Sequence, residues 1–211
     1  FPYTTLFRST PIVGVSVPVG PGVPVVLVDE RGAAAAVARH LVDLGHRRLG
    51  YVSGPPDNYV DTERWSGFRE AVAEAGLDAD AIVHFRGDFH APSGAAAGRL
   101  YLQLPPAHRP TAMFAASDMM AIGLMRELRA AGLRAPDDLS VVGFDGIELA
   151  DYYDPVLTTA RQPREAMGRA AVDLLMRLMA GADIPSEEAA PRLDVPLRIG
   201  RSSAPPPGGR R

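Results

Sequence analysis

Two polar residues that could contact a small ligand, Ser117 and Asp145, each come just after a short apolar run typical of a buried strand. The runs are residues 111–115 (TAMFA) and 139–144 (LSVVGF). In open parallel sheets, ligands bind beyond the carboxyl ends of the strands, where a hydroxyl and a carboxylate can hydrogen-bond a polar molecule. Each residue also has a purely structural interpretation: Ser117 as a helix N-cap and Asp145 as a turn residue before Gly146.

The stretch between these runs predicts the element that positions both residues. Residues 118–131 repeat apolar positions at helical spacing, and Gly132 can end the helix. Strand, helix and strand make a βαβ unit, which is parallel and right-handed. The alternation continues through most of the chain and predicts an α/β fold with a parallel sheet. The other predicted strands are 11–15, 23–28, 49–53, 82–86, 157–161 and 193–199, and the other predicted helices are 32–44, 62–75, 93–104 and 164–180.

The composition excludes several classes of site. The chain of 211 residues has no cysteine and a net charge of −3, which excludes a cysteine-ligated metal and argues against a polyanion-binding surface. Its five histidines lack metal-ligand spacing, and no apolar run reaches the length of a membrane span. Phosphate-binding loops and nucleophile elbows are absent from the sequence. We therefore expect the protein to bind no metal and no cofactor and to have no enzymatic activity.

Three further segments carry predictions of their own. Residues 1–9 (FPYTTLFRS) match the in-frame translation of a common sequencing adaptor, so we expect them to be an artefact and exclude them from the fold. Residues 202–211 are rich in proline and glycine, which predicts a disordered tail. The basic run His46-Arg47-Arg48 precedes a buried strand and is interpreted as a solvated turn.

Several motifs occur in the order of one known family. They are HLVDLGHRRLGYVSGP (40–55), ERWSGF (63–68), GDF (87–89), SDMMAIGLMRELRAAGLRAPDDLSVVGFD (117–145), LTTARQP (157–163) and the closing VPLRIGRSSAPP. Together they resemble the effector-binding domain of the LacI/GalR (lactose-repressor/galactose-repressor) family of bacterial transcription regulators. The resemblance runs from about residue 11 to residue 206.

The resemblance implies a fold like that of periplasmic sugar-binding proteins, with two Rossmann-like lobes and a ligand cleft. On that template, residues 10–27 and 164–191 form part of the N-terminal lobe. Residues 28–163 and 192–201 form a nearly complete C-terminal lobe. The family's helix-turn-helix and hinge helix are absent from this sequence, so we expect an N-terminally truncated fragment with apolar faces left exposed on 164–180 and 11–27.

The resemblance also implies site residues, each with a structural alternative. Arg64 matches an arginine that binds ligand hydroxyls or carboxylates. The structural alternative is a solvated charge near the start of a helix. Phe89 matches an aromatic residue that stacks on the ligand. The structural alternative is an aromatic side chain in a loop that covers the core. Ser117 stands where the family usually has Asn, so a ligand contact and a simple N-cap remain open. The other positions that the resemblance implies to be ligand contacts are Asp145, Gln162, Ser16 and Leu27.

The implied function is that of a sensor domain. A sugar or similar small metabolite would bias an open–closed lobe equilibrium and so change operator binding by the intact homodimer. We expect a cytoplasmic protein that contacts DNA only through the missing N-terminal domain and does not contact a membrane. The alternative is the solute-binding protein of a transporter, which shares this architecture.

Overall fold

The computed structural model describes residues 10–206, so the adaptor-like residues 1–9 lie outside it. The chain divides into two compact units. Among the described residues, unit 1 comprises 10–29 and 163–195, and unit 2 comprises 30–162 and 196–206. The predicted lobe boundaries, after residues 27, 163 and 191, compare with observed boundaries after residues 29, 162 and 195. They differ by two, one and four residues.

Unit 2 is built on a parallel sheet with helices between its strands. Its elements are α1 (Glu30–Asp43), β3 (Leu49–Val52), α2 (Tyr59–Glu74), β4 (Val83–Phe85), α3 (Ala91–Gln103), β5 (Ala112–Ala115), α4 (Asp118–Ala130), β6 (Ser140–Asp145), α5 (Glu148–Tyr152), β7 (Thr158–Arg161) and β9 (Leu197–Arg198). The strand order is β4-β3-β5-β6-β7-β9, and only β9 is antiparallel to its neighbour. This confirms the predicted α/β fold with a mostly parallel sheet.

The strand order reverses direction once, between β3 and β5. The chain passes from β3 outward to β4 and then returns past β3 to β5. Because parallel crossovers are right-handed, this reversal sends α2 and α3 to opposite faces of the sheet. The helix α1 packs on α2, and α3 packs on α4. The reversal is a topological switch point, where helices diverge and leave a crevice at the carboxyl ends of the strands.

The packing of α3 on α4 depends on two glycines. A Cβ placed on Gly94 would lie 2.0 Å from the Met120 carbonyl oxygen, and one on Gly123 would lie 2.0 Å from that of Ala91. The backbones of the two helices therefore approach more closely than any larger residue permits. The core between the sheet and α2 holds buried aromatic rings, with Phe68 on α2 packed beside Tyr51 and Phe114 of the sheet, and Phe144 beside Phe114.

Unit 1 contains a small sheet and one long helix. Its elements are β1 (Gly14–Val15), β2 (Val25–Val28), α6 (Arg164–Met179) and β8 (Arg192–Leu193), with strand order β1-β2-β8. All four residues of β2 are buried. On α6, Val172, Met176 and Met179 are all more than half exposed and lie at helical spacing, so one apolar stripe faces solvent.

The predicted strand 193–199 is wrong as a single element. Arg192–Leu193 pairs with β2, whereas Leu197–Arg198 pairs with β7. Consequently residues 192–195 stay in unit 1, although the sequence assigned 192–201 to the C-terminal lobe. Proline at 196 lies between the two short strands, and its ring fixes the backbone where a continuous strand would run.

The predicted disordered tail is also wrong where the structure describes it, over residues 202–206. The Ser202 hydroxyl donates to the Val141 carbonyl (2.6 Å) and accepts from the Thr158 amide (2.8 Å). The Val141 amide donates to the Ser202 carbonyl (2.8 Å), and the Ala204 amide donates to the Ser140 hydroxyl (3.0 Å). These bonds hold the segment against β6 and β7. Residues 207–211 lie outside the described part of the chain.

The turn before β3 differs from the solvated turn predicted for it. Arg47 and Arg48 are exposed, but His46 is fully buried. Its Nε2 donates to the Ala204 carbonyl (2.9 Å), and its Nδ1 lies 2.9 Å from the Thr111 hydroxyl. Burial lowers the pKa of His46, which favours the neutral ring with its proton on Nε2.

Candidate functional site

A pocket of about 250 Å³ lies in unit 2 at the carboxyl ends of the parallel strands. It is lined by Asn58, Val60, Arg64, Phe89 and Asp145. Asn58, Val60 and Arg64 lie at and after the start of α2, which follows β3, whereas Phe89 follows β4 and Asp145 ends β6. Three of the seven residues predicted to bind ligand therefore share one pocket, at the position that the topology favours.

Arg64 is held inside this pocket by contacts on several sides. Its side chain is only 3% exposed. Nε donates to Glu30 Oε2 (2.7 Å), Nη1 donates to the Ala116 carbonyl, and the guanidinium lies 3.6 Å from the centre of the Phe144 ring. A buried charge needs such partners, so the alternative of a solvated helix charge is excluded.

The helix α2, which carries Arg64 to the pocket, begins earlier than predicted. The sequence placed its start at Thr62, whereas Asn58 caps it, with Asn58 Oδ1 accepting from the Asp61 amide (3.1 Å). Asp61 in turn accepts from the Gly54 amide and the Tyr51 hydroxyl, both at 2.7 Å. The first turn of α2 is thereby tied to β3 and to the loop that follows it.

Asp145 ends β6 and presents its carboxylate to the pocket. Its Oδ1 lies 3.6 Å from Arg64 Nη2 and accepts from Gln162 Nε2 at 3.3 Å. The backbone of Asp145 has a φ of 110°, a conformation that side-chain-bearing residues rarely adopt. Such strain persists only where the surrounding structure fixes it, and here β7 pairs with Asp145 through Arg161.

Phe89 closes the pocket with its ring. A Cβ built on Gly54 would lie 2.2 Å from Phe89 Cζ, so the ring packs directly on the glycine backbone. The Arg64 guanidinium lies 5.9 Å from the ring centre. Phe89 also has a positive φ, of 70°. A half-buried aromatic ring beside a cation and a carboxylate gives the pocket one apolar wall and two polar groups.

Ser117 stands behind the pocket and does not line it. It is the N-cap of α4, as predicted, with its hydroxyl accepting from the Met120 amide (3.2 Å). The same hydroxyl donates to the Phe89 carbonyl (2.9 Å), and the residue is 2% exposed. A serine hydroxyl has a single proton to donate. Ser117 therefore fixes the backbone that carries the Phe89 ring.

The neighbouring carboxylate, Asp118, is fully buried and holds the loop after β6. Its Oδ1 accepts from the Thr159 hydroxyl (2.6 Å), and its Oδ2 accepts from the Ile147 amide (2.8 Å). Burial raises the pKa of Asp118 to about 7, while the two hydrogen bonds oppose that rise. Asp118 thus anchors the chain just beyond Asp145.

The remaining two predicted residues, Ser16 and Leu27, belong to unit 1. Leu27 lies in β2 and is 8% exposed. Ser16 follows β1 with a φ of 69°, and its amide donates to the Val26 carbonyl (2.9 Å). Arg64, Phe89, Asp145 and Gln162 are thus brought together in unit 2, with Ser117 behind them, whereas Ser16 and Leu27 belong to a different unit.

Sequence reasoning missed Glu30, Asn58, Val60 and Asp61. Glu30 directly follows the run VVLVD and opens α1, so a carboxylate near the end of a strand was a usable signal. Asn58 precedes the helix in a loop rich in breakers, which is a cap signal. Within residues 10–206 no group of His, Asp and Glu is arranged to hold a metal ion. Over the same range, no helix has the length and apolar character needed to cross a bilayer.

The chain is similar in sequence to a known protein family and to individual members of it. The model of the periplasmic binding protein-like domain family matches residues 38–203. The HTH-type transcriptional repressor PurR of Photobacterium profundum is 40% identical over 147 residues, which cover 70% of this chain and 43% of that protein. The chain therefore spans less than half the length of this relative.

Two solved structures share the fold over nearly the whole chain. A LacI family transcriptional regulator from Enterococcus faecium with bound ribose superimposes with a TM-score of 0.84 at 26% identity, covering 92% of this chain and 71% of that one. A complex of the transcriptional regulator CelR with cellobiose gives a TM-score of 0.79 at 35% identity, covering 90% and 58%.

Proposed function

Because this chain belongs to the periplasmic binding protein-like family, in the form that LacI/GalR regulators carry as their effector-binding domain, we propose that its unit 2 pocket binds a sugar or a related polyhydroxyl metabolite. The relatives are transcription regulators, which favours a regulatory sensor over the solute-binding protein of a transporter. They also favour a binding domain over an enzyme.

The observation that carries the proposal is the convergence of Arg64, Asp145 and Phe89 on one pocket. A carboxylate accepts hydrogen bonds from hydroxyls, and a guanidinium donates to their oxygens. The Phe89 ring offers an apolar surface for the C–H face of a sugar ring. Since Arg64 is fixed by Glu30 and Ala116, its remaining donors are oriented before any ligand arrives, which reduces the entropic cost of binding.

We further propose that this chain works as part of a longer regulator. In that protein the effector would change the affinity for operator DNA, which requires different effector affinities in the two functional states. The DNA contact would come from a helix-turn-helix outside this sequence, and the intact regulator would act as a cytoplasmic homodimer. Ser16 and Leu27 are proposed ligand contacts from unit 1, and Ser117 a positioning residue.

The test is calorimetry of the 211-residue chain against neutral mono- and disaccharides, including ribose and cellobiose. We expect one class of sugar to bind, and Asp145→Asn to weaken it about tenfold or more, the size of one charge-assisted hydrogen bond. Asp43→Asn, at an exposed position at the end of α1, is the matched control. Operator affinity of the full-length gene product is the second readout, and a sugar that binds without changing that affinity would contradict the regulatory part.

A further inference from the structure

A second cavity of about 330 Å³ lies at the opposite end of the unit 2 sheet from the pocket. It is bounded by Leu49 and Val83, the first residues of β3 and β4, and by the end of α2. We call it the basal cavity. No residue of the candidate site lines it, so it is independent of the proposed sugar pocket.

The interior of the basal cavity is apolar. Leu49, Val72 and Ile82 line it and are themselves buried, and Leu77 and Val83 add half-buried aliphatic surface. Its volume falls within the range of small-ligand sites, which begins at about 300 Å³. Apolar walls of this extent favour a ligand with a compact hydrocarbon body.

The rim of the cavity is cationic. Three exposed basic residues line it, namely Arg47, Arg48 and His108. The lining contains one acidic residue, Asp78. Asp78 is engaged as a cap, since its Oδ1 accepts from the Asp80 amide (2.9 Å). The excess of basic groups therefore complements an anion.

The two arginines are oriented but have no acidic partner within residues 10–206. Arg47 Nη1 donates to the carbonyls of Val42 (3.1 Å) and His46 (3.0 Å). Arg48 Nε donates to the Arg109 carbonyl (3.0 Å). These bonds use one nitrogen of each guanidinium and restrict its motion. Both Nη groups of Arg48 remain to meet a planar anion such as a carboxylate.

We propose that the basal cavity binds a small amphipathic monoanion, a carboxylate with an aromatic or branched aliphatic body. The carboxylate would pair with Arg48 at the rim, and the hydrocarbon body would replace water against Leu49, Val72 and Ile82. This is a second binding site, on the unit that also carries the sugar pocket.

The test uses the 211-residue chain and ¹⁹F NMR with 4-fluorophenylacetate as the probe. Its neutral amide, 4-fluorophenylacetamide, has the same shape without the charge. We expect saturable binding of the acid and about tenfold weaker binding of the amide, the factor equivalent to one charge-assisted contact. Arg48→Gln should weaken the acid about tenfold without affecting the amide. Arg126→Gln, at an exposed position of α4 outside the cavity, should change neither.

Ala81→Trp, which places a large side chain at the cavity lining, should abolish binding of both probes. Asp145→Asn in the sugar pocket should leave both unchanged, so failure of the sugar proposal and failure of this one are distinguishable. The proposal is overturned if the acid does not bind, if acid and amide bind equally, or if Arg48→Gln and Arg126→Gln have the same effect.

Discussion

Glu30 and Arg64 form a buried ion pair, with 2.7 Å between Oε2 and Nε and both side chains 3% exposed. The pair joins the start of α1 to α2 and sets the position of the guanidinium that reaches Asp145. Breaking a buried pair by removing one partner leaves a charge that has lost its hydration without compensation. The pair therefore specifies the geometry of the pocket more than it adds to net stability.

Glu30→Ala is expected to lower the free energy of unfolding by about 3 kcal/mol, since Arg64 would keep a buried charge with one fewer partner. Urea unfolding followed by circular dichroism measures this. The matched control is Glu70→Ala, which breaks the exposed Arg31–Glu70 pair between the same two helices and should lower stability much less, because an exposed pair is screened by solvent. Equal losses in the two variants would contradict the special role of the buried pair.

Gly54→Ala is expected to displace the Phe89 ring, because the added methyl would lie 2.2 Å from Phe89 Cζ. If the ring forms the apolar wall of the sugar pocket, affinity should fall about tenfold or more, as measured by calorimetry with the sugar identified for the wild-type chain. Gly168→Ala, whose Cβ meets nothing within 4 Å on α6, should leave affinity unchanged. An unaltered affinity in Gly54→Ala would remove Phe89 from the binding surface.

The Asp118 carboxyl is expected to titrate near pH 7 in the folded chain, because burial raises its pKa from 3.8 to about 7. The folded state then holds a proton that the unfolded state has released. The free energy of unfolding should therefore fall as pH rises from about 4 to about 7, by a total of order 4 kcal/mol, and this group should add no further change above that range.

Side-chain ¹³C NMR gives the Asp118 midpoint directly, and urea unfolding between pH 4 and 8 gives the stability. Asp118→Asn should remove this part of the pH dependence, although it also disturbs the bonds to Thr159 and Ile147. A carboxyl midpoint below pH 5 would show that these hydrogen bonds outweigh burial.

The 211-residue chain is expected to self-associate, because Val172, Met176 and Met179 form an exposed apolar stripe on α6. Sedimentation velocity at several concentrations should show a sedimentation coefficient that rises with concentration. Replacing the three residues with glutamine should reduce the association, whereas Arg126→Gln should not. A wild-type chain that stays monomeric across the concentration range would contradict the prediction.

The elements that the sequence predicts well are those with local signals. The run from 111 to 145 shows strand, cap, helix and strand in the residues themselves, and Ser117 caps α4 as predicted. Asp145 was found because strand ends in parallel sheets face ligands. These features depend on residues a few positions apart, so the sequence pattern determines them.

The features that escaped prediction depend on contacts distant in sequence. Glu30 meets Arg64 across 34 residues, and His46 meets Ala204 across 158. The short strands β8 and β9 have no periodicity of their own, and their pairing partners alone distinguish them. Ser117 has the residue type of a ligand contact, but only the position of the Phe89 carbonyl shows where its proton goes.

The segment 202–206 has a consequence for protein synthesis. Buried groups of β6, β7 and the turn before β3 complete their hydrogen bonds with it: the Val141 and Thr158 amides with Ser202, and the His46 ring with Ala204. While a nascent chain ends short of these residues, those groups lack these native partners, although every helix of unit 2 has already been synthesised. A chain stopped at residue 201 should thus be more sensitive to protease than one continued to 206, so unit 2 can finish folding only after residues 202–206 have been synthesised.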